Sequence, residues 1–439
     1  MGRLVVGNWS NEAGYAELSA ESRRHIGAQG QRMLWDARAG DTVVLPIRPP
    51  DGVLPYVAEL LGIDPGSIEV VVPPEAGLPD VLTAGRLADP GFVSALAGHV
   101  RDRALTGLHA FYLDTTVNQL TRELGLEHGT TGFTFMDQGG NELGNSKVVF
   151  RAMSGGIGLP VPDGVVADRP ETVVDFAWRL LSAGGAVIVK QDVNVAGFGN
   201  EVLLSRDDVE VAGALRSACF GDRAALDAHV RERWDWYTHG GRRRVVVEHY
   251  IPGAVPLWGE VAITDDGVEV LGHGQIRMKP VIEGVLIPVR PETAESPAFS
   301  GFLAELIRLA GALRAIGYRG LNNIDAMLVP DGRILFNEFN ARCGGSTHLF
   351  TIGSRVVGGD YLADRCLIER REVAFPEFDL AVKKLSASGL AYDPLTRTGV
   401  VIAVSGTRPD GTGGEACVIG EDVASAEILE RELLRVFPD

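Results

Sequence analysis

Asn323-Ile-Asp-Ala-Met-Leu-Val-Pro-Asp-Gly-Arg-Ile-Leu-Phe-Asn-Glu-Phe-Asn-Ala-Arg342 reads as a β-hairpin, two apolar runs joined through Pro-Asp-Gly-Arg. With Asp331 and Gly332 as a two-residue turn, Pro330 faces Arg333, and counting outward puts Asp325 opposite Glu338. Facing β-carbons lie about 4.5 to 5.5 Å apart, so the carboxylates repel unless a proton or a cation sits between them. A divalent cation is the natural solution, and Mg²⁺ favours two carboxylates plus substrate phosphates. Because strand side chains alternate, Glu338, Asn340 and Arg342 project on one face as carboxylate, amide and guanidinium. A solvated hairpin face with idle charges is the alternative, against which Ile334 and Phe336 argue. A bulge or a longer turn would shift the register and part the pair.

Upstream, Ala186-Val-Ile-Val-Lys190 is a buried-strand run that ends in a lysine, and Asn194-Val-Ala-Gly-Phe-Gly-Asn200 follows it. Gly197 and Gly199 let backbone N–H groups approach an anion closely, and Lys190 could neutralise phosphate oxygens. A flexible hairpin tip with a snorkelling Lys is the competing reading. No Gly-x-x-x-x-Gly-Lys-Ser/Thr occurs, so this is not a P-loop. Arg244-Val-Val-Val-Glu-His-Tyr-Ile-Pro-Gly253 is a strand that breaks at Pro252, with Glu248 among interior residues. Such a strand can bond the edge of an adenine, or Glu248 can pair with a nearby Arg such as Arg242 or Arg243. Asn145-Ser-Lys147 opens a helical stretch that ends in Gly158-Leu-Pro-Val-Pro162. Lys147, Lys190, Lys279, Lys383 and Lys384 are the only lysines, so 41 minus 5, or 36, of the basic residues are Arg. The aromatic group Trp234, Trp236 and Tyr237 suits either helix packing or a substrate mouth.

The chain of 439 residues suggests about three domains. Its 45% apolar and 23% charged content are those of a folded globular protein. The net charge of −17, 41 minus 58, opposes attraction to nucleic acid or anionic membrane surfaces. Cys219, Cys343, Cys366 and Cys417 are widely spaced and read as reduced thiols. The amino terminus has no signal-peptide pattern and no run reaches the roughly 18 apolar residues of a membrane helix, so the default expectation is cytoplasmic. Before about Thr130 the pattern is α/β, with Leu4 to Val6, Thr42 to Leu45 and Ile68 to Val72 as buried strands. Val6-Gly-Asn-Trp-Ser-Asn-Glu carries a single glycine, so no dinucleotide site is assigned there. Asp266-Gly267 marks a further hairpin turn. After Pro376 a strand at Val400 to Val404, a Gly-rich loop at 411 to 414 and an amphipathic helix from about Ala426 to Phe437 form a last segment.

In combination these motifs, in chain order over 132 to 372, resemble the ATP-grasp superfamily of carboxylate-amine ligases. Lys147 stands eleven residues before Gly158, Lys190 precedes a Gly-rich lid, Glu248 to Ile251 matches a Glu-x-x-aliphatic hinge, and Asp325 precedes Glu338-x-Asn340-x-Arg342. The resemblance implies an α+β/α/β ATP-grasp fold of two α+β subdomains clasping ATP, after an α/β pre-ATP-grasp domain and before a small α+β module. The implied divisions are 1–131, 132–240 with the phosphate lid, 241–375 with hinge and metal site, and 376–439. It implies adenine bonding by the Glu248 side chain and the backbone of His249 and Ile251, and ribose bonding by Glu260. Phosphates would meet Lys147, Lys190, Gly197, Gly199 and Arg342, with Mg²⁺ on Asp325, Glu338 and Asn340. Arg277 and Lys279 occupy the place of residues that meet the activated carboxylate or the transferring phosphate. Gly345, Ser346, Thr347 and His348 resemble a segment that binds the second substrate.

The layout is most similar to the stand-alone peptide ligases of actinomycete peptide-antibiotic biosynthesis, of the pheganomycin type. The implied partners are ATP, an amino-acid or peptide carboxylate donor and an amine acceptor, and a homodimer is compatible with the sequence. The implied chemistry is acyl-phosphate formation and attack by the amine, releasing ADP. Competing functions are a small-molecule kinase of the same fold and a non-catalytic nucleotide- or peptide-binding module.

Overall fold

Short, near-continuous runs of Val, Leu and Ile become the inner strands of three sheets. The computed structural model describes residues 2–9, 15, 18–194 and 197–438. β1 (Leu4–Val6), β2 (Thr42–Val44), β3 (Glu69–Val71) and β4 (Leu108–Ala110) form a parallel sheet in the order β3-β2-β1-β4. β1 and β2 are fully buried, as parallel strands covered on both faces should be. The run at 68–72, expected to be buried, is an edge strand instead: Glu69 is exposed and Val70 and Val71 are half-buried, with only β2 beside them.

The second sheet, in the order β5-β9-β6-β7-β8, contains β5 (Gly164–Ala167), β6 (Ala186–Gln191), β7 (Asn200–Leu204), β8 (Arg216–Cys219) and β9 (Val245–Tyr250). Its side chains alternate between two separate cores. Val187, Val189, Leu203, Val245 and Val247 pack against the helices Pro170–Leu181 and Arg223–Tyr237, and Trp234, Trp236 and Tyr237 join that core. The aromatic group is therefore packing and not a substrate mouth. Ala186, Ile188, Val202 and Leu204 form the other face. Lys190 has the parity of Ile188, which is why it enters the cleft.

The third sheet runs β14-β13-β10-β11-β12-β15-β17-β16 and is antiparallel throughout. It comprises β10 (Val255–Ile263), β11 (Val268–Met278), β12 (Ile282–Ile287), β13 (Gly320–Leu328), β14 (Ile334–Asn340), β15 (Cys366–Val373), β16 (Gly399–Ser405) and β17 (Gly414–Gly420). β16 and β17 are buried at every residue. The Val423–Val436 helix contacts this end of the sheet, and the N-terminal unit is joined to it by Trp35 Nε1 donating to the Ala403 carbonyl at 2.9 Å. That helix starts three residues before the expected position because Asp422 and Ser425 form a capping box. β9 belongs to the five-stranded sheet, and the segment after 376 supplies two strands of the eight-stranded sheet.

The hairpin at 323–342 forms, by a different route. Val329 N–H donates to the Arg333 carbonyl and Gly332 N–H to the Val329 carbonyl, both at 2.9 Å, so the turn holds three residues, with Gly332 at φ +87°. Ala326 then faces Phe336, and a bulge at Asn337 restores the register that sets Asp325 opposite Glu338.

Candidate active site

A cavity of about 400 Å³ lies between the five-stranded and eight-stranded sheets, and Trp9 and Phe111 of the N-terminal unit line one end. The β13–β14 bulge turns Asn337 and Glu338 both toward it, and Asp325 lies beside them. The Asp325 and Glu338 carboxyl groups hydrogen-bond each other. Burial pushes Asp325 well above the carboxylate range and the Glu338 charge adds to this, while Arg342 and Lys147 oppose it. Burial also works against ionised Glu338, but Lys147 at 2.8 Å outweighs it, and with Asp325 and Lys190 brings Glu338 down to about 2. Two facing carboxyl groups, which repel when both are ionised, are a donor set suited to a divalent cation. Asn340 stands beside the pair, its Nδ2 3.5 Å from Asp325 and its Oδ1 accepting from Arg342 at 2.9 Å.

Lys147 arrives at the start of the Lys147–Ile157 helix, where Ser146 caps the N-terminus and Gly158 ends it in the left-handed region at φ +65°. Asp192, just past β6, ties that start down: its Oδ1 accepts from Ser146 Oγ at 2.6 Å and from Val148 N–H at 3.0 Å. Lys147 Nζ also donates to the Asn194 carbonyl at 3.1 Å. Glu248, expected to accept from adenine or to pair with Arg242 or Arg243, has its two oxygens engaged elsewhere. Arg151 holds Oε1 and Lys190 holds Oε2, each at 2.5 Å. Glu248 thus orients two cations at the cleft wall.

Past Glu248, His249, Tyr250 and Ile251 line the cavity together with Ile188, Pro256, Trp258, Ile276, Met278 and Met327. This is an apolar slot edged by a strand end, a shape that suits a flat heterocycle. His249 N–H is already used by the Asp163 carbonyl at 2.8 Å. Gly197 and Asn200 line the cavity, while Gly199 packs against Asn194 and Gln191 and does not reach it.

Several expected residues lie elsewhere. Glu260 is fully buried, accepts from Thr347 Oγ1 and does not line the cavity. Arg277 has the opposite parity from Ile276 and Met278, and reaches Glu430 of the last helix at 2.6 Å. Lys279 is exposed at the β11–β12 turn, away from the cavity. Gly345 and Ser346 line it; Thr347 and His348 do not, because Thr347 turns back to Glu260 and His348 is buried beside Glu369. The sequence reading missed Arg151, Asp192, Arg371, Trp9 and Phe111. Arg151 carried a usable signal, since it is one helical turn after Lys147.

Comparisons with known proteins bear on the fold. Residues 30–126 match the Pre ATP-grasp domain model and residues 380–433 match the PGM1 C-terminal domain model. The chain is 25% identical over 350 residues to an L-propargylglycine–L-glutamate ligase of Streptantibioticus cattleyicolor, covering 73% of this chain and 68% of that one. The biotin carboxylase domain of Hydrogenobacter thermophilus 2-oxoglutarate carboxylase superposes with a TM-score of 0.58 at 13% identity, covering 99% of this chain and 90% of that one. Carboxyaminoimidazole ribonucleotide synthase of Aspergillus clavatus, solved with ATP, gives 0.57 at 15% identity and covers 99% and 98%. The mixed α/β architecture is the ATP-grasp fold, with its preceding α/β domain and following C-terminal segment.

Proposed function

We propose that this chain is an ATP- and Mg²⁺-dependent carboxylate-amine ligase that forms an amide between amino-acid or peptide substrates, in the cytoplasm and within peptide natural-product biosynthesis. The observation that carries the reading is the Asp325 and Glu338 pair on the floor of a cleft edged by Lys147, Lys190 and Arg342, with an apolar slot beside it. Asp325, Glu338 and Asn340 are the residues that would hold Mg²⁺, which supplies positive charge to the phosphate oxygens. The apolar slot orients the nucleotide. Lys147, Lys190 and Arg342 neutralise the charge that spreads as the γ-phosphoryl passes to the donor carboxylate, forming an acyl phosphate and ADP. The amine then attacks the acyl carbon, the C–O bond to phosphate breaks, and phosphate leaves. No side-chain nucleophile is needed, because positioning and charge do the work. The ligase relative and the nucleotide-bound structural relatives support this reading.

Purified enzyme with ATP, Mg²⁺ and pairs of amino acids or short peptides should release ADP only when donor and amine are both present. The product mass should equal the sum of the two less one water. ADP release with a phosphorylated product and no amide would instead establish the kinase. Nucleotide binding without turnover under every pair would establish the binding module. A homodimer is part of the proposal, checked by sedimentation.

A further inference from the structure

Glu248 is 1% exposed and has two cations for its single charge. Ile188 is its partner across β6 and β9, so Lys190, two residues on, reaches it diagonally. Arg151 stands four residues after Lys147 on the same face of the Lys147–Ile157 helix, and it does not line the cavity, whereas Lys190 and Glu248 do. The two contacts differ in kind. Arg151 Nη1 donates to Glu248 Oε1 at 2.5 Å, and the Pro162 carbonyl holds the same guanidinium, 3.3 Å from Nη1 and 3.4 Å from Nη2. Lys190 Nζ lies 2.5 Å from Oε2 as an ion pair only, and among the described residues no hydrogen bond is aligned on that oxygen. Gly164, which faces Glu248 across β5 and β9, leaves the space for the Arg151 pair: a β-carbon there would stand 2.9 Å from both Arg151 Nη1 and Glu248 Cγ. The contact with Arg151 is thus built in, and the one with Lys190 can part.

A carboxylate buried this deeply must keep a counter-charge. Lys190 is also the lysine that the proposed function turns toward a nucleotide phosphate, and a lysine that neutralised Glu248 alone would leave an uncompensated buried charge each time it did so. We propose that Arg151 is a positioning residue for the nucleotide: it keeps Glu248 neutralised from outside the cleft, so that Lys190 can turn from Glu248 to the phosphates. Without Arg151, Glu248 holds Lys190 and the phosphates lose that charge. At Glu338 the same exchange needs no arginine, because the Mg²⁺ of the proposed function would replace Lys147 there. This rests on the nucleotide site of the ligase reading above.

The test is calorimetric titration of the protein with a non-hydrolysable ATP analogue and Mg²⁺, over a double-mutant cycle of Arg151→Met and Glu248→Gln. Arg151→Met alone should weaken nucleotide binding by at least about tenfold, the loss expected of one charge-assisted bond, and Arg151→Lys should recover part of it. In the Glu248→Gln background, where no charge is left to hold Lys190, Arg151→Met should change the affinity by less than about twofold. An arginine that only packs the helix against Pro162 would cost the same in both backgrounds. That result overturns the proposal, as does an Arg151→Met affinity within about twofold of the parent. Should Arg151→Met not fold, Arg151→Gln takes its place in both backgrounds and is read by the same limits. Product formation separates this claim from the ligase reading. The expected cycle in a protein that forms no amide keeps the role of Arg151 and defeats the ligase, whereas amide formation with a nucleotide affinity insensitive to Arg151 does the reverse. A parent protein that binds no nucleotide overturns both.

Discussion

Glu338→Gln keeps the shape of the side chain and removes one of two carboxyl charges that face each other across β13 and β14. Two consequences for stability oppose one another. Lys147 loses the ionic partner it holds at 2.8 Å, and a charge-assisted bond at a group 24% exposed contributes on the order of 1–2 kcal/mol. Asp325 meanwhile loses the neighbouring charge that adds to burial in pushing its carboxyl up. The net change should lie within about 1 kcal/mol, a shift of roughly 2–4 °C in Tm for a domain of this size. Turnover has no such compensation, because under the proposed function the lost charge is one that would hold Mg²⁺ at the transferring phosphoryl group. Removal of one preorganised electrostatic group costs about 10²–10³ in kcat, or roughly 3–4 kcal/mol. Asp331→Asn is the control, since Asp331 is an exposed carboxylate at the turn of the same hairpin, ion-paired to Arg333 at 2.7 Å. ADP release coupled to product mass, measured beside thermal unfolding, should show a near-native fold with at least a hundredfold loss for Glu338→Gln and less than a twofold change for the control. Glu338→Gln activity within twofold of the parent would refute the metal-site argument.

Burial pushes Glu260 up to about 7, partly offset by the hydrogen bond from Thr347. Between the unfolded value of about 4.3 and 7, the folded chain holds a proton that the unfolded chain has lost, so stability falls as pH rises through that window and then levels off. Glu260→Gln should therefore gain on the parent by about 3–4 kcal/mol from pH 4 to pH 8 in urea unfolding, and an equal difference at both ends would contradict the burial argument. Asp192→Ala removes the acceptor of Ser146 Oγ and Val148 N–H, so the helix start that carries Lys147 loosens. A stability loss of about 1–2 kcal/mol with a rise of at least severalfold in the KM for ATP is expected, and an unchanged KM would detach Asp192 from the site.

The hairpin at 323–342 was legible because it is local: period-two alternation and a turn signature lie within twenty consecutive residues. Even there two departures cancelled. The turn is one residue longer than Asp331-Gly332 suggests, and the bulge at Asn337 takes that residue back. Nothing in the residue types of Ile334 to Asn340 announces the bulge, yet without it Glu338 would fall out of register with Asp325. Lys147 and Lys190, at the start of a helix and near the end of a strand recognisable from their own runs, do line the cavity. Arg277 shows the limit. Its strand could be read, but which face of β11 meets the cleft depends on β12 and the last helix, where Glu430 waits about 150 positions away.

Residues whose role is created by the fold were the ones missed, and they share a physical character. Arg32, Arg371, Glu369 and Glu415 come from an N-terminal helical turn and from two strands of the eight-stranded sheet, and their charges are tolerable inside only because they meet one another. A sequence offers four ordinary surface charges there. Once brought together, Arg32 holds both carboxylates and Arg371 holds Glu369, so the N-terminal unit and the eight-stranded sheet are tied through buried ion pairs. Glu248 makes the converse point: a lone buried carboxylate suggests a ligand contact, whereas two cations at 2.5 Å give it a structural task.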